Sequence, residues 1–358
     1  MNPLVKHTIY WLVILTCFSC VKDKPNPDAN VLLQFAHKGV LVLNEGSFGN
    51  NNSELSFIDF STGLVTQSIY QTTNQKQLGD IANKIVYMNG CYYIAVNNSN
   101  KIVVLDGLTF KEKIVISNIN FPRQILQVNA QTAYVASLYY PNIYVLDLVS
   151  NTITSTITLE YNNAEQMLLY NGSVWITNWD TACNQILKIN ANTNQLVEKI
   201  HIAGYAAHDI VQDKNNLLWI LSGNKYKNKA SFLTCIDPNT NTMVKSFAFG
   251  SEKDPFRLTI DAAKENLYYL LVNYNGGSSN NGVYRMNITD TTLPKTALIQ
   301  AYSNSYFYGI GIDSVTHHIF LSDPKGFTQQ STVYEYSHDG QLLQHYQCGI
   351  GSNSFIFN

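Results

Sequence analysis

Charge is scarce in this sequence of 358 residues: only 13% of them are Asp, Glu, Lys or Arg, and the formal net charge is −2. Soluble globular domains typically carry about 25% charged residues. The chain therefore lacks the basic patch with which proteins neutralise phosphate groups, and we expect no nucleic-acid partner. In place of charge the sequence has 23 Tyr and many Asn, Ser and Thr, which suit pleated strands and tight turns.

Long apolar runs are also missing. Residues 8–18, TIYWLVILTCF, form an apolar run of 11 residues after Lys6 and His7, whereas a membrane-spanning helix needs about 20. This length is typical of a signal-peptide core. The next two residues, Ser19 and Cys20, resemble the end of a bacterial lipoprotein signal, in which the cysteine is lipidated. An ordinary secretory peptide with incidental cysteines is the alternative.

The lipoprotein interpretation divides the N-terminal region into a signal peptide over 1–19 and a lipid anchor with its tether over 20–38. Residues 21–24, VKDK, resemble the charged tag that directs Bacteroidota lipoproteins to the cell surface. We therefore expect Cys20 to carry lipid and the protein to be anchored to the outer membrane, exposed at the cell surface.

Motifs for metal binding and catalysis are absent from the sequence. The four cysteines after Cys20 are scattered, without the CxxC spacing of a zinc site. Disulfides are possible in an exported chain, but Cys91 and Cys235 fall within strand patterns and are expected to be small buried hydrophobes. There is no HExxH, GxSxG, phosphate-loop or EF-hand motif. We expect neither a metal, a cofactor nor enzymatic activity.

A strand-like segment that ends in Asp, Asn or Ser recurs seven times, at separations of 41 to 50 residues. The segments end at Asp59, Asp106, Asp147, Asn190, Asp237, Asn287 and Ser337. Each follows another strand pattern, and most precede a short alternating one. About four short strands every 40 to 50 residues are typical of a β-propeller blade. The sequence thus predicts an all-β, seven-bladed propeller over 39–358, since a β-sandwich would not explain the sevenfold spacing.

The two ends of the propeller complement each other. The first unit begins at its second strand, near Gly39, and lacks an innermost strand. Residues 352–357, SNSFIF, look like an innermost strand without a blade. We therefore expect the C-terminal strand to complete the first blade, which would remove the unpaired edges of an open ring.

Candidate site residues lie where the connections from second to third strands meet the entries to the inner strands, a face here called the mouth. Residues 43–59, LNEGSFGNNNSELSFID, form one such connection. Aligned inner strands place Ala82, Arg123, Glu165, His208, Arg257 and Tyr308 at matching positions, and because strand residues alternate faces, either these or their next neighbours point into the channel. The residues predicted to bind ligand are Glu45, Asn98, Arg123, Tyr139, Tyr140, Trp179, His208, Tyr226, Arg257, Tyr274 and Tyr308.

Each of these residues also has a purely structural interpretation. Asn and Gly could simply form turns, and Arg123 could simply pair with Glu165. The aromatic set in matching loops favours binding instead, because Tyr and Trp supply a flat apolar surface with a polar edge.

Several segments resemble a known family: LNEGSFGNNNSELSFID, LGDIANKIVYMNGCYYIAVNNSNKI, AYVASLYYPNIYVLD and EQMLLYNGSVWITNW. They are similar to the DUF5074/YncE-like surface lipoproteins of Bacteroidota, which include the BtuG-type proteins. The resemblance implies capture of cobalamin or a related corrinoid at the mouth. It also implies delivery of that ligand to a TonB-dependent outer-membrane transporter of the BtuB type.

Two alternatives stay open. A lactonase-like propeller lyase or hydrolase would need a metal or an acid–base pair at the mouth. An adhesin, or a module that binds glycans or siderophores, would show no corrinoid binding.

Overall fold

The computed structural model describes residues 38–251, 253–272, 281–303 and 305–357. These residues form seven antiparallel sheets of four strands each. The prediction of a seven-bladed β-propeller is confirmed. The predicted signal peptide, Cys20 and all but the last residue of the predicted tether lie outside the described residues.

The blades are numbered in chain order, and their strands are given from the first to the last along the chain. Blade 1 holds β1 (Gly39–Asn44), β2 (Glu54–Asp59) and β3 (Val65–Thr66); blade 2 β4 (Ala82–Met88), β5 (Cys91–Val96), β6 (Lys101–Asp106) and β7 (Glu112–Ile116); blade 3 β8 (Pro122–Gln127), β9 (Thr132–Ser137), β10 (Asn142–Asp147) and β11 (Thr152–Thr158); blade 4 β12 (Ala164–Tyr170), β13 (Ser173–Asn178), β14 (Gln185–Asn190) and β15 (Gln195–His201). Blade 5 holds β16 (Ala207–Gln212), β17 (Leu218–Asn224), β18 (Lys229–Asp237) and β19 (Thr242–Ala248); blade 6 β20 (Pro255–Ile260), β21 (Asn266–Leu271), β22 (Gly282–Asn287) and β23 (Ile299–Gln300); blade 7 β24 (Ile310–Ile312), β25 (Ile319–Asp323), β26 (Gln330–Tyr336) and β27 (Leu342–Ile350); β28 (Ser352–Phe357) is the last strand.

Strand β28 belongs to blade 1, where it pairs antiparallel with β1. In that ladder Val40 faces Phe357 and Val42 faces Phe355. The blade therefore has the order β28-β1-β2-β3, with the C-terminal strand innermost. The predicted closure of the ring is confirmed.

The recurring Asp or Asn has a local physical cause. The Oδ1 atom of Asp106 accepts hydrogen bonds from the N–H groups of Leu108 and Thr109, at 3.1 and 3.0 Å. Asp147 and Asn190 form the same kind of turn. Such a side chain satisfies the donors of the turn that follows the third strand. These hydrogen bonds lower the pKa of Asp106, and the bond from the Thr109 N–H has the largest effect on it.

The core consists of apolar layers between neighbouring blades. Trp175 and Trp219 are among its largest fully buried side chains. The indole N–H of Trp219 donates to Asp213 over 2.9 Å, so this buried polar group is satisfied. Cys91 and Cys235 are buried and free, as the strand patterns predicted.

The ring departs from the repeat mainly in blade 1, whose outer strand β3 has only two residues. A short helix α1 (Ile69–Asn74) follows it and packs Ile69 and Tyr70 inward. In the described part of the chain, 3₁₀ turns occur at Asn97–Ser99, Lys225–Lys227 and Lys325–Phe327. None of the helices within the described residues is long and apolar enough to span a membrane.

Candidate functional site

A β-bulge interrupts the inner strands near the mouth. Pairing shifts between Ala82 and Lys84, between Pro122 and Gln124, and between Ala207 and Asp209. A bulge leaves one residue outside the ladder and bends the strand. The residue left outside the ladder is Asn83 in blade 2, Arg123 in blade 3 and His208 in blade 5.

The observed pairing corrects the sequence alignment of the inner strands in two blades. In blade 2 the residue that matches Arg123 is Asn83, not Ala82. In blade 6, Pro255 pairs as Ala207 does, so Phe256 matches His208 and Arg257 comes one position later. The expectation that only one of two alternating sets faces the channel was also wrong. His208 and Asp209 both line one cavity, as do Phe256 and Arg257, because a bulge breaks the alternation.

The cavity has a volume of about 640 Å³ at the mouth and is lined by residues of blades 3 to 7, most of them from blades 4 to 6. Six of the predicted ligand-binding residues line it: Arg123, Trp179, His208, Tyr226, Arg257 and Tyr308. Residues that we had not placed in the ligand-binding set also line it, among them Asn163, Gln166, Asp180, Asn224, Asp254 and Phe256. Gln166 and Phe256 lie at register shifts of their inner strands, for which the sequence holds no local signal.

Four further predicted residues, Glu45, Asn98, Tyr139 and Tyr140, do not line this cavity. Tyr139 and Tyr140 pack their rings against Phe121, at centroid distances of 5.3 and 6.1 Å. Their exposed fractions are 61% and 41%. Asn98 donates to Asp80 over 2.5 Å. Tyr274 lies outside the described residues.

Glu45 lies buried behind the cavity rather than on its surface. Its carboxylate accepts hydrogen bonds from the Tyr308 hydroxyl, at 3.0 and 3.1 Å, and from the Asn353 amide at 2.8 Å. Burial raises the pKa of Glu45, against the opposing positive charge of Arg257 and these hydrogen bonds. The connection between the first two strands therefore supplies the residue that holds Tyr308 in place.

Arg123 and Glu165 form a salt bridge in the cavity wall. The Nε atom of Arg123 lies 2.9 Å from both carboxylate oxygens of Glu165, and Nη2 lies 2.7 Å from Oε1. Burial alone would lower the pKa of Arg123, but the adjacent carboxylate raises it above its ordinary value. Arg123 therefore pairs with Glu165, as the structural alternative predicted, and it also lines the cavity.

His208 and Asp209 form a second polar pair. The Nδ1 atom of His208 lies 2.9 Å from Oδ2 of Asp209. Burial would raise the pKa of Asp209, but His208, the backbone N–H of Leu258 and the charge of Arg257 together lower it. Asp209 is therefore held as a carboxylate.

Arg257 differs from the other charged groups of the cavity. Its φ is 58°, in the left-handed region that non-glycine residues rarely adopt. Its guanidinium carbon lies 5.0 Å from the ring centre of Tyr308 and 5.9 Å from that of Phe256. Its buried Nε has no hydrogen-bond partner, and no described carboxylate lies within 4.0 Å of the group.

Aromatic side chains stand at the cavity rim. Trp179 and Tyr226 have exposed fractions of 38% and 88%. The ammonium group of Lys227 lies 5.3 Å from the Tyr226 ring centre. The cavity thus combines flat apolar groups at its edge with amide, hydroxyl and guanidinium groups deeper down. Among the described residues, no group of three or more His, Cys, Asp or Glu side chains is placed to hold a metal ion.

A family model described as "Domain of unknown function (DUF5074)" matches residues 38–353. The chain belongs to the DUF5074 family. No curated protein matches its sequence.

Solved structures share the fold of this DUF5074 protein at low identity. A quinonprotein alcohol dehydrogenase-like protein from Bacteroides thetaiotaomicron is 17% identical, with a TM-score of 0.68 over 90% of this chain and 78% of its own. A proposed 6-phosphogluconolactonase from Bacteroides fragilis is 10% identical, with a TM-score of 0.64 over 94% and 100%. A functionally unknown protein from Desulfotomaculum acetoxidans is 14% identical, with a TM-score of 0.61 over 87% and 99%. At these identities the likeness concerns the fold alone.

Lys84 of this DUF5074 propeller is a largely buried cation on inner strand β4. Burial and then the charge of Arg257 lower the pKa of Lys84 to about 8, although Asp209 opposes the shift. Between about pH 8 and 10.5 the unfolded chain therefore binds more protons at Lys84 than the folded chain does. The contribution of this residue to the free energy of unfolding must rise with pH across that window.

We expect Lys84→Met to raise the free energy of unfolding at pH 7 by about 1–2 kcal/mol, because a poorly solvated charge is removed. It should also flatten the pH dependence between pH 8 and 10.5, relative to wild type. Urea denaturation at pH 7, 8, 9 and 10 measures both effects. Lys113→Met, at an exposed position of β7, is the matched control. Equal or lower stability of the Lys84 variant at pH 7 would contradict the assignment.

Proposed function

We propose that this DUF5074 propeller binds cobalamin or a related corrinoid at its mouth. We further propose that it is lipid-anchored at the outer membrane and passes the ligand to a TonB-dependent transporter of the BtuB type. The observation that carries the proposal is the cavity of about 640 Å³, with aromatic groups at its rim and amide and guanidinium groups on its walls.

The size of the cavity agrees with partial enclosure of such a ligand. Pockets for small molecules usually measure about 300–1,000 Å³. A corrinoid is larger than a drug-sized molecule, so part of its macrocycle would enter and the rest would lie against the rim. Trp179 and Tyr226 supply flat surface at that level, and their exposed fractions leave them free to contact ligand.

The polar groups of the cavity suit the amide fringe of a corrinoid. Asn163, Gln166 and Asn224 line the cavity, and each amide can both donate and accept. Gln124 donates to the side-chain oxygen of Gln166 over 2.5 Å, which leaves the Gln166 NH₂ group for a ligand carbonyl. Ligand amides left without partners on binding would weaken affinity, so a wall of amides favours an amide-rich ligand.

The location and the transporter rest on the N-terminal sequence. The short apolar run and the Ser19-Cys20 pair resemble a lipoprotein signal. A lipid-anchored binding protein that captures a scarce ligand requires no catalysis, only affinity and a partner to which the ligand is released. The resemblance of several sequence segments to the BtuG-type surface proteins supports a transporter as that partner.

Isothermal titration calorimetry with cyanocobalamin tests the proposal directly. We expect saturable 1:1 binding with a Kd of about 1 μM or tighter, that is about −8 kcal/mol or more favourable. Haem, a macrocycle of similar width with carboxylates in place of the amide fringe, is the control and should bind more weakly. No heat and no saturation with cyanocobalamin would overturn the corrinoid proposal.

A hydrolase is the second candidate. The His208–Asp209 pair in the cavity is an acid–base arrangement of the kind that such an activity requires, and one structural neighbour is a proposed 6-phosphogluconolactonase. Hydrolysis of 6-phosphogluconolactone by the wild-type protein, lost in His208→Gln, would support this candidate. Equal rates for the two proteins would count against it.

A further inference from the structure

We propose that the cavity contains an oxyanion subsite in which Arg257, with Arg123 in the same cavity wall, binds a phosphate or carboxylate group of the ligand. The identity of the whole ligand rests on the proposed function. In a complete corrinoid the matching group is the phosphodiester of the nucleotide loop, which cobinamide lacks.

The first argument is the missing partner of Arg257. Arg123 is paired with Glu165, and Asp209 with His208. Arg257 has no carboxylate within 4.0 Å among the described residues, and its buried Nε makes no hydrogen bond. A buried charge without a partner is costly. A ligand anion would satisfy this group.

The second argument is the fixed position of the guanidinium. Its carbon lies 5.0 Å from the ring centre of Tyr308, and the Tyr308 hydroxyl is itself held by Glu45. Stacking on a held ring limits the motion of the guanidinium. A positioned guanidinium offers parallel N–H donors that match the two oxygens of a phosphate or carboxylate.

The third argument is the charge around Arg257. Burial and the charge of Arg123 oppose the protonated form of Arg257, although Tyr308, Asp209 and Glu45 raise its pKa overall, and burial and then the charge of Arg257 lower the pKa of Lys84. The nearby carboxylates of Glu45 and Asp209 already accept hydrogen bonds from other groups. An anion bound beside Arg257 would supply the direct charge partner that this group lacks, which an uncharged amide could not do.

Inorganic phosphate tests the subsite without any corrinoid. We expect saturable binding to the wild-type protein in a ³¹P NMR titration at constant ionic strength. Arg257→Gln should weaken it about tenfold, the effect of losing a charge-assisted hydrogen bond. Lys113→Gln removes a cation from an exposed position of β7, outside the cavity lining, and should leave phosphate affinity unchanged. Thermal melting of each variant checks that it is folded.

Cobalamin and cobinamide provide the second arm. Wild type should prefer cobalamin about tenfold, and Arg257→Gln should remove that preference by weakening cobalamin alone. Equal affinity of wild type for both corrinoids, with no change in the variant, would overturn the subsite and leave corrinoid binding intact. Phosphate binding that depends on Arg257, without binding of either corrinoid, would support the subsite and overturn the proposed function. Phosphate binding of equal strength in all the variants would show an adventitious ion only and overturn the subsite.

Discussion

Deleting residues 352–358 should abolish cooperative folding of the propeller, or lower its melting temperature by more than any single substitution. The deletion removes β28, which supplies the inner strand of blade 1. The N–H and C=O groups of β1 that pair with it would lose their partners. Phe355 and Phe357 are partly buried and lie 6.2 and 5.2 Å from the ring centre of Phe320, so loss of each should cost somewhat less than the about 3–5 kcal/mol of a fully buried Phe.

Differential scanning calorimetry of the truncated protein measures this effect. Phe355→Ala is the graded control, because it removes one ring but keeps the strand and its ladder, and it should melt between wild type and the truncation. A synthetic peptide of sequence SNSFIF, added in excess, should restore part of the lost stability if the missing strand is the cause. A truncated protein that melts at the wild-type temperature would contradict the role of β28 in closure.

The architecture could be predicted from sequence because its signals are local and repeated. Asp106 and Asp147 each form a turn with residues two and three positions later, so the same residue type marks the same point of each blade. The closure was predictable for a related reason: an incomplete first unit and an isolated last strand together make one blade.

The site was less predictable because its contacts join distant parts of the chain. Glu45 and Tyr308 are 263 residues apart in sequence and meet through one hydrogen-bonded pair. The prediction placed Glu45 on the binding surface, whereas the structure places it behind Tyr308. The bulges that bring both His208 and Asp209 to the cavity also break the strict alternation on which strand-facing arguments depend.

The lining of the cavity decides which aromatic residues carry the largest effect on ligand affinity. Tyr139 and Tyr140 belong to a cluster around Phe121, outside the cavity lining. Trp179 and Tyr226 line the cavity itself. We therefore assign the dominant aromatic contacts to Trp179 and Tyr226, and a smaller share to Tyr139.

Trp179→Ala should weaken cyanocobalamin binding about thirtyfold or more, a loss of about 2 kcal/mol, because a few large side chains usually dominate binding energy. Tyr226→Ala should act in the same direction but less strongly, since its 88% exposed ring must be ordered on binding. Tyr87→Ala is the matched control: this Tyr is 51% exposed near the end of β4 remote from the mouth, and its loss should leave the Kd unchanged. Calorimetry on the four proteins decides the outcome. Affinity that survives both cavity substitutions would place the corrinoid on another surface of the propeller.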